Sequence, residues 1–183
     1  MKIYSRKGDD GSTGLFYGGR VGKDEAAPEA YGAVDEAVSA LGLARAEAEG
    51  ELAERILVVQ RDLFVVGAEL ATGPESRTKL KPGVSRVTKD MIERLERWID
   101  AVVDDVGAPA EFVVPGGSRL AGALDLARAV IRRAERRSVG YARTGRLEGS
   151  LVVPYLNRLS DYLYVLARSV EETWAPTRPE EES

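Results

Sequence analysis

Apolar residues recur every three or four positions along most of this 183-residue chain, the spacing that places side chains on one face of an α-helix. One such stripe predicts a first helix from about Glu29 to Glu49, and a second predicts a helix from Glu51 to about Ala71. Thr72-Gly73-Pro74 follows and ends the second helix. Because the connection between the two helices is short, we expect them to be antiparallel neighbours.

Three further helices are predicted in the second half of the chain. Thr88 is a suitable N-cap for the third helix, Pro115-Gly116-Gly117-Ser118 precedes a long fourth helix, and the fifth begins near Pro154, which a first turn tolerates. The stripes of these three helices are Met91, Ile92, Leu95, Ile99, Val102; Leu120, Leu124, Ala127, Ile131, Ala134; and Leu156, Leu159, Leu163, Leu166, Val170. The sequence therefore predicts an all-α fold, an up-down bundle of five helices with a ferritin-like outline.

The chain is short enough for one domain and apolar enough, at 44% hydrophobic residues, to bury a core. We expect an N-terminal loop at 1–27, the helical bundle at 28–175 and a disordered acidic tail at 176–183. Residues 73–86 mix Pro, Gly, Ser and Lys and predict an exposed loop. Residues 111–114 predict a short extended segment.

Two residue types are absent, and their absence excludes several kinds of site. The chain contains no Cys and no His, so it cannot build a thiolate or imidazole metal site, a Ser-His-Asp triad or a Cys nucleophile. The Glu-x-x-His pairs of ferritin-like di-metal bundles are excluded as well. Any proton transfer falls to Asp, Glu, Lys, Tyr or water, and chemistry that needs no protein base becomes more attractive.

The formal net charge of -4 argues against broad electrostatic capture of nucleic acid or of an anionic membrane. The N-terminus lacks the apolar core of a secretory signal, and no apolar run is long enough to span a bilayer. We therefore expect a cytoplasmic protein without membrane or nucleic-acid partners.

The first candidate site is the glycine-rich segment near the N-terminus. Its glycines let backbone N–H groups converge on an anion, its hydroxyls and cations add donors, and Asp9 or Asp10 could approach a magnesium ion. The residues concerned are Ser5, Arg6, Lys7, Gly8, Asp9, Gly11, Ser12 and Thr13. The segment fits neither a P-loop nor an EF-hand. A solvated turn is the alternative, and the residue types alone slightly favour it.

The second candidate site is an arginine-rich run, residues 128–137, within the fourth helix. Arg128, Arg132 and Glu135 share the face that borders the apolar stripe and are expected to be partly buried, whereas Arg133 and Arg137 point away from it. Guanidinium groups at least partly buried need anionic partners, either a carboxylate of another helix or a bound polyphosphate. A salt-bridged helix face is the alternative interpretation. It is preferred for Arg133 and Arg137, whereas for Arg128 and Arg132 structural pairing and ligand binding remain equally open.

Three single residues are weaker candidates. Asp35 borders the apolar stripe of the first helix, where a carboxylate requires a cationic partner. Arg128 would be that partner if the two side chains meet. Asn157 lies in the first turns of the last helix. Phe112, beside two valines, is most simply a core aromatic.

Five motifs in this order resemble the PduO-type family of ATP:corrinoid adenosyltransferases. They are KIYSRKGDDGSTGLF, EAYGAVDE, FVVPGGS, RRAERR and YLNRLSDYLYVLAR, and together they cover the chain from Lys2 to about Arg168. The resemblance implies a homotrimer in which ATP and the corrinoid bind where adjacent subunits meet.

The resemblance also implies a role for each candidate residue. The segment from Ser5 to Thr13, helped by Lys23, corresponds to the cradle for triphosphate and magnesium. Arg132, Glu135, Arg136 and Asn157 correspond to nucleotide-binding positions, Asp35 and Arg128 to a salt bridge between subunits, and Phe112 to the aromatic that packs under the corrin and displaces its lower axial ligand. The reaction itself is thereby assigned to Arg132, Phe112, Asp35 and Arg128.

One position departs from the family pattern. Where the family has Thr-Arg-Thr-Gly-Asp or Thr-Lys-Thr-Gly-Asp, this chain has Ser5-Arg6-Lys7-Gly8-Asp9, so that a cation replaces the second threonine. Lys7 either adds a phosphate contact or points outward.

The reaction that the resemblance implies is transfer of the 5′-deoxyadenosyl group of ATP to cob(I)alamin, with release of triphosphate. A reductase and an adenosylcobalamin-dependent enzyme are the protein partners to expect. Two alternatives remain: a non-catalytic carrier or sensor that binds ATP or adenosylcobalamin, and a purely structural bundle whose arginines form surface salt bridges.

Overall fold

The computed structural model describes residues 3–109 and 111–178 of the chain. Five α-helices account for most of these residues, and the five predicted helices are confirmed with ends shifted by a few residues. The helices are α1 (Ala26–Glu47), α2 (Gly50–Leu70), α3 (Lys89–Val106), α4 (Arg119–Ala142) and α5 (Val152–Ser169). A 3-10 helix spans Pro74–Lys79, and two short strands, β1 (Ser12–Gly14) and β2 (Arg20–Gly22), pair antiparallel.

Small side chains bring the central helices together. α1 packs most extensively against α4 and also contacts α2, while α5 packs against α4 and α3. At the α1–α4 contact the buried residues include Ala30, Ala33 and Ala37 on one helix and Ala127 and Ala134 on the other. Since alanine adds only a methyl group, these residues allow α1 and α4 to pack closely along the length that carries the arginines.

The predicted helix starts have the expected local chemistry. Ser118 accepts a hydrogen bond from the backbone N–H of Ala121 at 3.0 Å and so caps α4. Thr88 stands at the N-cap of α3, and Pro154 lies in the first turn of α5, where its missing N–H costs nothing.

The connection from α2 to α3 is only partly the exposed loop that its composition predicts. Glu69, fully buried in α2, pairs with Arg77 at 3.0 Å and accepts the Val87 N–H at 2.7 Å. Ser76 and Ser85 are also buried. A buried carboxylate with two donors pulls the connection onto the bundle.

The hairpin of β1 and β2 is an element that sequence patterning misses, because three-residue strands show no measurable alternation. The turn between the strands docks on the connection from α2 to α3. Phe16 donates its N–H to the Ala71 carbonyl at 2.9 Å, and the Tyr17 and Ser85 hydroxyls lie 3.3 Å apart. The N-terminal loop is therefore anchored to the bundle at its C-terminal side.

The segment before α4 pairs with the chain after α5. Val113 forms an isolated bridge with Pro176, Val114 donates to the Ala175 carbonyl at 2.8 Å, and Thr177 donates to the Phe112 carbonyl at 3.0 Å. The extended segment predicted at 111–114 is thus present around Val113. Of the predicted disordered tail, Pro176 and Thr177 make two of these contacts, and residues 179–183 lie outside the described residues.

None of the helices in the described part of the chain has the length and apolar character needed to cross a membrane.

Candidate active site

The N-terminal loop, residues 5–13, is organised by a cation of β2. Arg20 donates from Nε to Ser12 Oγ at 3.0 Å and also contacts the Lys7 carbonyl. Ser12 in turn donates its N–H and its hydroxyl to Asp10 Oδ1, at 2.9 and 2.7 Å. These hydrogen bonds lower the pKa of the Asp10 carboxyl, which favours its ionised form.

Lys23, at the far end of the hairpin, closes the loop from the other side. Its ammonium donates to the Gly8 carbonyl at 2.8 Å, and its backbone N–H donates to the Gly11 carbonyl at 2.9 Å. A Cβ at Gly8 would lie 3.2 Å from both Lys23 Nζ and the Ser12 carbonyl, so glycine allows this close approach. Lys23 therefore lies against the loop, and its part in holding the triphosphate stays a prediction.

Three charged residues of the loop keep free side chains. Arg6, Lys7 and Asp9 are exposed, and among residues 3–109 and 111–178 none of the three side chains has an ion pair or a hydrogen bond. Arg6 has a φ of 61°, a left-handed conformation uncommon for a residue with a Cβ. The loop thus presents one carboxylate, one ammonium and one guanidinium to any ligand that approaches it.

A pocket of about 480 Å³ lies between α1 and α2, next to the hairpin, and it contains Asp35. Its other walls are mostly apolar and include Phe16, Tyr31 and Phe64. Burial raises the pKa of the Tyr31 hydroxyl, against a smaller opposing effect of a hydrogen bond with Thr13. The Thr13 contact joins the loop to this face of α1.

A second pocket, of about 470 Å³, lies between α4 and α5. It brings together the four residues that were matched to nucleotide binding, and Asn157 donates to Glu135 Oε1 at 3.1 Å across it. The residues that line it are Arg132, Glu135, Arg136, Val139, Gly140, Arg143 and Asn157. No residue of the N-terminal loop is among these lining residues in the described part of the chain, so one chain does not bring the loop into this pocket.

Positive charge exceeds negative charge in this pocket. Arg132, Arg136 and Arg143 face a single carboxylate, Glu135, and none of the three arginines has an ion pair with another described residue. Arg132 is exposed rather than partly buried, which corrects the expectation from its spacing. Its long side chain lies at the rim of the pocket and keeps its guanidinium in water. Such a surface suits a polyphosphate.

Arg133 and Arg137, which the spacing predicts to point away from the apolar stripe, have partners on α1, and Arg133 is half-buried there. Arg133 pairs with Glu36, and Arg137 pairs with Glu29 at 3.4 Å. The predicted salt-bridged face is confirmed for these two residues. Both pairs are partly exposed and contribute little stability.

Arg128 also has a partner within the chain, although not the one proposed for it. Its Nε lies 3.4 Å from Asp125 Oδ1, and its guanidinium lies 5.7 Å from the centre of the Tyr164 ring. Within the described part of one chain, Asp35 and Arg128 form no ion pair. A salt bridge between them in adjacent subunits stays a prediction.

Phe112 is 82% exposed, so its interpretation as a core aromatic is wrong. Its backbone is held by the pairing with Thr177, while its ring projects from the segment before α4. Val114 and Leu126 are further exposed apolar residues of this region of the sequence. An exposed aromatic ring on a held segment is accessible to a ligand.

The comparisons with known proteins agree with this geometry. The family model described as "Cobalamin adenosyltransferase" matches residues 3–170. This chain belongs to the cobalamin adenosyltransferase family. A corrinoid adenosyltransferase of Citrobacter freundii is 42% identical over 173 residues, covering 94% of this chain and 96% of that protein. One of Mycobacterium tuberculosis is 43% identical, with 91% of this chain and 87% of that protein covered.

Solved structures of the cobalamin adenosyltransferase family share the fold. A variant PduO-type ATP:corrinoid adenosyltransferase from Lactobacillus reuteri, complexed with cobalamin and ATP, has a TM-score of 0.84 and 30% sequence identity. The match covers 97% of this chain and 99% of the Lactobacillus reuteri chain. The resemblance stated from the five motifs is confirmed.

Several residues of the two candidate sites in this family member escaped the sequence analysis. Gly140 and Arg143 continue the spacing of Arg132 and Arg136 by further steps of three and four, and extending that spacing would have found them. Arg20 has no such signal, because its role depends on the pairing of β2 with β1.

The N-terminal loop of this family member also has oxygen donors that suit magnesium. The described residues contain no cluster of three carboxylates that would hold a metal alone. Magnesium bound with ATP needs only one or two protein carboxylates, since phosphates and water supply the other ligands. The free carboxylate of Asp9 fits that requirement, whereas Asp10 Oδ1 is engaged by Ser12.

Proposed function

We propose that this protein transfers the 5′-deoxyadenosyl group of ATP to cob(I)alamin and releases triphosphate. The observation that carries the proposal is the group of three arginines in the pocket between α4 and α5, none of which has an ion-pair partner in the described part of the chain. The relatives named corrinoid adenosyltransferases, and the related structures with cobalamin and ATP, support it.

The pocket residues divide the work of binding ATP. Arg132 and Arg136 neutralise the triphosphate, and the hydrogen bond from Asn157 holds the Glu135 carboxylate away from the phosphates. That carboxylate then accepts hydrogen bonds from the nucleoside part of ATP. Charge on the phosphates and hydrogen bonds on the nucleoside together fix the direction in which ATP lies.

The N-terminal loop provides the cations Arg6 and Lys7, Lys23 adds a third just after β2, and Asp9 holds magnesium together with the phosphates. Because the loop does not line the arginine pocket of its own chain, the loop of one subunit completes the pocket of its neighbour in a homotrimer. Asp35 and Arg128 pair across the same interface.

The chemical step is a displacement at carbon. Cobalt(I) of the corrinoid supplies the electron pair for the new cobalt–carbon bond, the bond between C5′ and its oxygen breaks, and triphosphate leaves with the bonding electrons. No proton moves, which suits a chain without histidine. Magnesium would add positive charge on the leaving phosphates. The protein aligns the two substrates and stabilises charge on the leaving group.

Phe112 packs below the corrin ring and occupies the side from which the lower axial ligand approaches. Five-coordinate cobalt(II) becomes four-coordinate when it loses this ligand, and it is then easier to reduce. The reason is that the ligand no longer raises the energy of the cobalt orbital that accepts the electron. A separate reductase supplies the electron, and an adenosylcobalamin-dependent enzyme receives the product.

An anaerobic assay with chemically reduced cobalamin, magnesium and ATP tests the proposal. We expect the spectrum of cobalt(I) to disappear as that of adenosylcobalamin forms, at a rate proportional to protein. A carrier or sensor would bind ATP and return it unchanged. Folded protein that leaves cobalt(I) unconsumed would contradict the enzyme assignment.

A further inference from the structure

An ionic cluster lies fully buried at the C-terminal end of α5, away from the arginine pocket. The side chains of Arg168 and Glu171 are each 1% exposed and that of Asp125 is 4% exposed. Arg168 pairs with Asp125 through Nη2, and its Nε lies 2.8 Å from Glu171 Oε2. Buried ion pairs are often no more stabilising than apolar residues of equal volume. The cluster therefore calls for an explanation beyond stability.

Its first connection is to the segment that carries Phe112. Glu171 Oε1 accepts the backbone N–H of Gly117 at 3.0 Å. A Cβ at Gly117 would lie 2.7 Å from that same oxygen, so glycine permits the contact. The Trp174 indole donates to the Arg168 carbonyl at 3.1 Å, which fixes the chain just before Ala175 receives the Val114 N–H. Both ends of the 112–117 segment are thus tied to the α5 terminus.

Its second connection is to Arg128. Asp125 uses Oδ2 for Arg168 and leaves Oδ1 for Arg128, whose Nε lies 3.4 Å away. The guanidinium groups of Arg128 and Arg168 lie 5.7 and 5.5 Å from the centre of the Tyr164 ring. The charges of Arg168, Asp125 and Glu171 sum to -1, and Arg128 brings the sum to zero. Arg128 is therefore held where it balances the buried charge.

We infer that Arg168 and Glu171 are positioning residues for the transfer reaction, which hold the Phe112 segment and the Arg128 guanidinium in fixed relation to each other. The inference rests on the proposed function, because Phe112 and Arg128 matter to the reaction only if the protein binds a corrinoid between subunits. Neither Arg168 nor Glu171 touches a substrate. They act through the backbone of Gly117 and the carboxylate of Asp125.

Two variants test the link to Phe112, and a neighbour serves as control. Glu171→Ala removes the carboxylate that joins Arg168 to Gly117. Gly117→Ala instead pushes the Glu171 carboxylate away from the backbone and keeps every charge of the cluster. Glu172→Ala removes an adjacent, exposed carboxylate. Each full-length variant is measured in three ways: amide hydrogen exchange of the 112–118 peptide without ligands, adenosylation starting from chemically reduced cobalt(I), and adenosylation starting from cobalt(II) with a reductant.

In Glu171→Ala and Gly117→Ala, exchange in the 112–118 peptide should rise by about fivefold or more, because the amide loses its acceptor. The reaction from cobalt(II) should fall about tenfold further than that from cobalt(I), since a displaced Phe112 no longer excludes the lower ligand. Glu172→Ala should match the wild-type protein in all three measurements.

Two results would overturn the inference. One is an equal loss from cobalt(I) and cobalt(II) with faster exchange throughout the bundle, which would give the cluster a purely structural role. The other is unchanged exchange at 112–118 in both variants. If the wild-type protein forms no adenosylcobalamin, the proposed function fails, and the exchange measurement still decides whether the cluster holds the segment.

Discussion

The arginines of α4 are chemically alike, and their partners distinguish them. Arg133 and Arg137 pair with carboxylates of α1, and Arg128 pairs with Asp125 on its own helix. Arg132 and Arg136 line the pocket with no ion-pair partner among the described residues. A guanidinium that is already paired gains less from a phosphate than one that is not. Function is therefore expected to divide between neighbours in the sequence.

Arg132→Ala should lower kcat on the order of a hundredfold, because it removes a cation from the leaving triphosphate. Steady-state kinetics with cobalt(I) and ATP measure the effect, and circular dichroism should show nearly unchanged helix content. Arg133→Ala is the matched control, since it lies about 100° around the helix and removes only a partly exposed ion pair. Equal losses in the two variants would contradict the division.

Phe112→Ala should mainly slow the reaction that starts from cobalt(II), because an exposed ring is proposed to keep the lower axial position empty and dry. The reaction from chemically reduced cobalt(I) should suffer less. Electron paramagnetic resonance of cobalt(II)alamin bound with ATP provides a separate readout. Loss of the four-coordinate signal is expected, and a signal that persists in the variant would remove Phe112 from the mechanism.

The N-terminal loop and its hairpin act as one element, in which Gly8 has little space. A methyl group at this position would lie 3.2 Å from Lys23 Nζ and from the Ser12 carbonyl. Gly8→Ala should therefore push the ammonium away from the loop and raise the KM for ATP about tenfold, with a smaller effect on the KM for cobalamin.

Gly14→Ala is the control for that change, because a Cβ at Gly14 would meet no atom within 4 Å. It should leave the KM for ATP nearly unchanged. Similar KM values in the two variants would show that Lys23 and the shape of the loop do not contribute to binding ATP.

The elements differ in how well the sequence predicts them, and the reason is the range of the contacts that form them. The helices follow from local spacing and from caps such as Ser118, so their ends fall within a few residues of the prediction. The hairpin depends on Arg20 reaching Ser12 across paired strands. No local pattern shows that contact before the fold is known.

Two charged residues show the same limit within the candidate sites. Arg132 shares a helical face with the apolar stripe, yet its side chain is long enough to leave that face, and its exposure was predicted wrongly. Arg168 stands at the end of α5, where a basic residue ordinarily serves the helix dipole in water. Its burial with Asp125 depends on the packing of α5 against α4.

At the scale of the whole molecule, the loop does not line the arginine pocket of its own chain, and the proposed function therefore depends on assembly. We expect activity to complement between two variants, Gly8→Pro with a disabled loop and Arg132→Ala with a disabled pocket. Each should be nearly inactive alone. After the two are unfolded and refolded together, some interfaces in mixed trimers join an intact loop to an intact arginine.

Activity of the mixture should therefore rise well above that of either variant, in proportion to the mixed trimers counted by native mass spectrometry. A site contained within one subunit has no such rescue, because every chain carries a defect. Mixed trimers without activity would contradict the shared site.

The most direct test of the central claim follows the transferred carbon and the leaving group in one reaction. ATP labelled with carbon-13 at the 5′ position is incubated anaerobically with cobalt(I), magnesium and the protein. We expect a carbon-13 resonance of a cobalt-bound methylene and one intact triphosphate for each adenosylcobalamin formed. Two results would contradict adenosyl transfer by this protein. One is the absence of a cobalt-bound carbon-13 resonance while ATP stays unconsumed, and the other is release of ADP and phosphate in place of triphosphate.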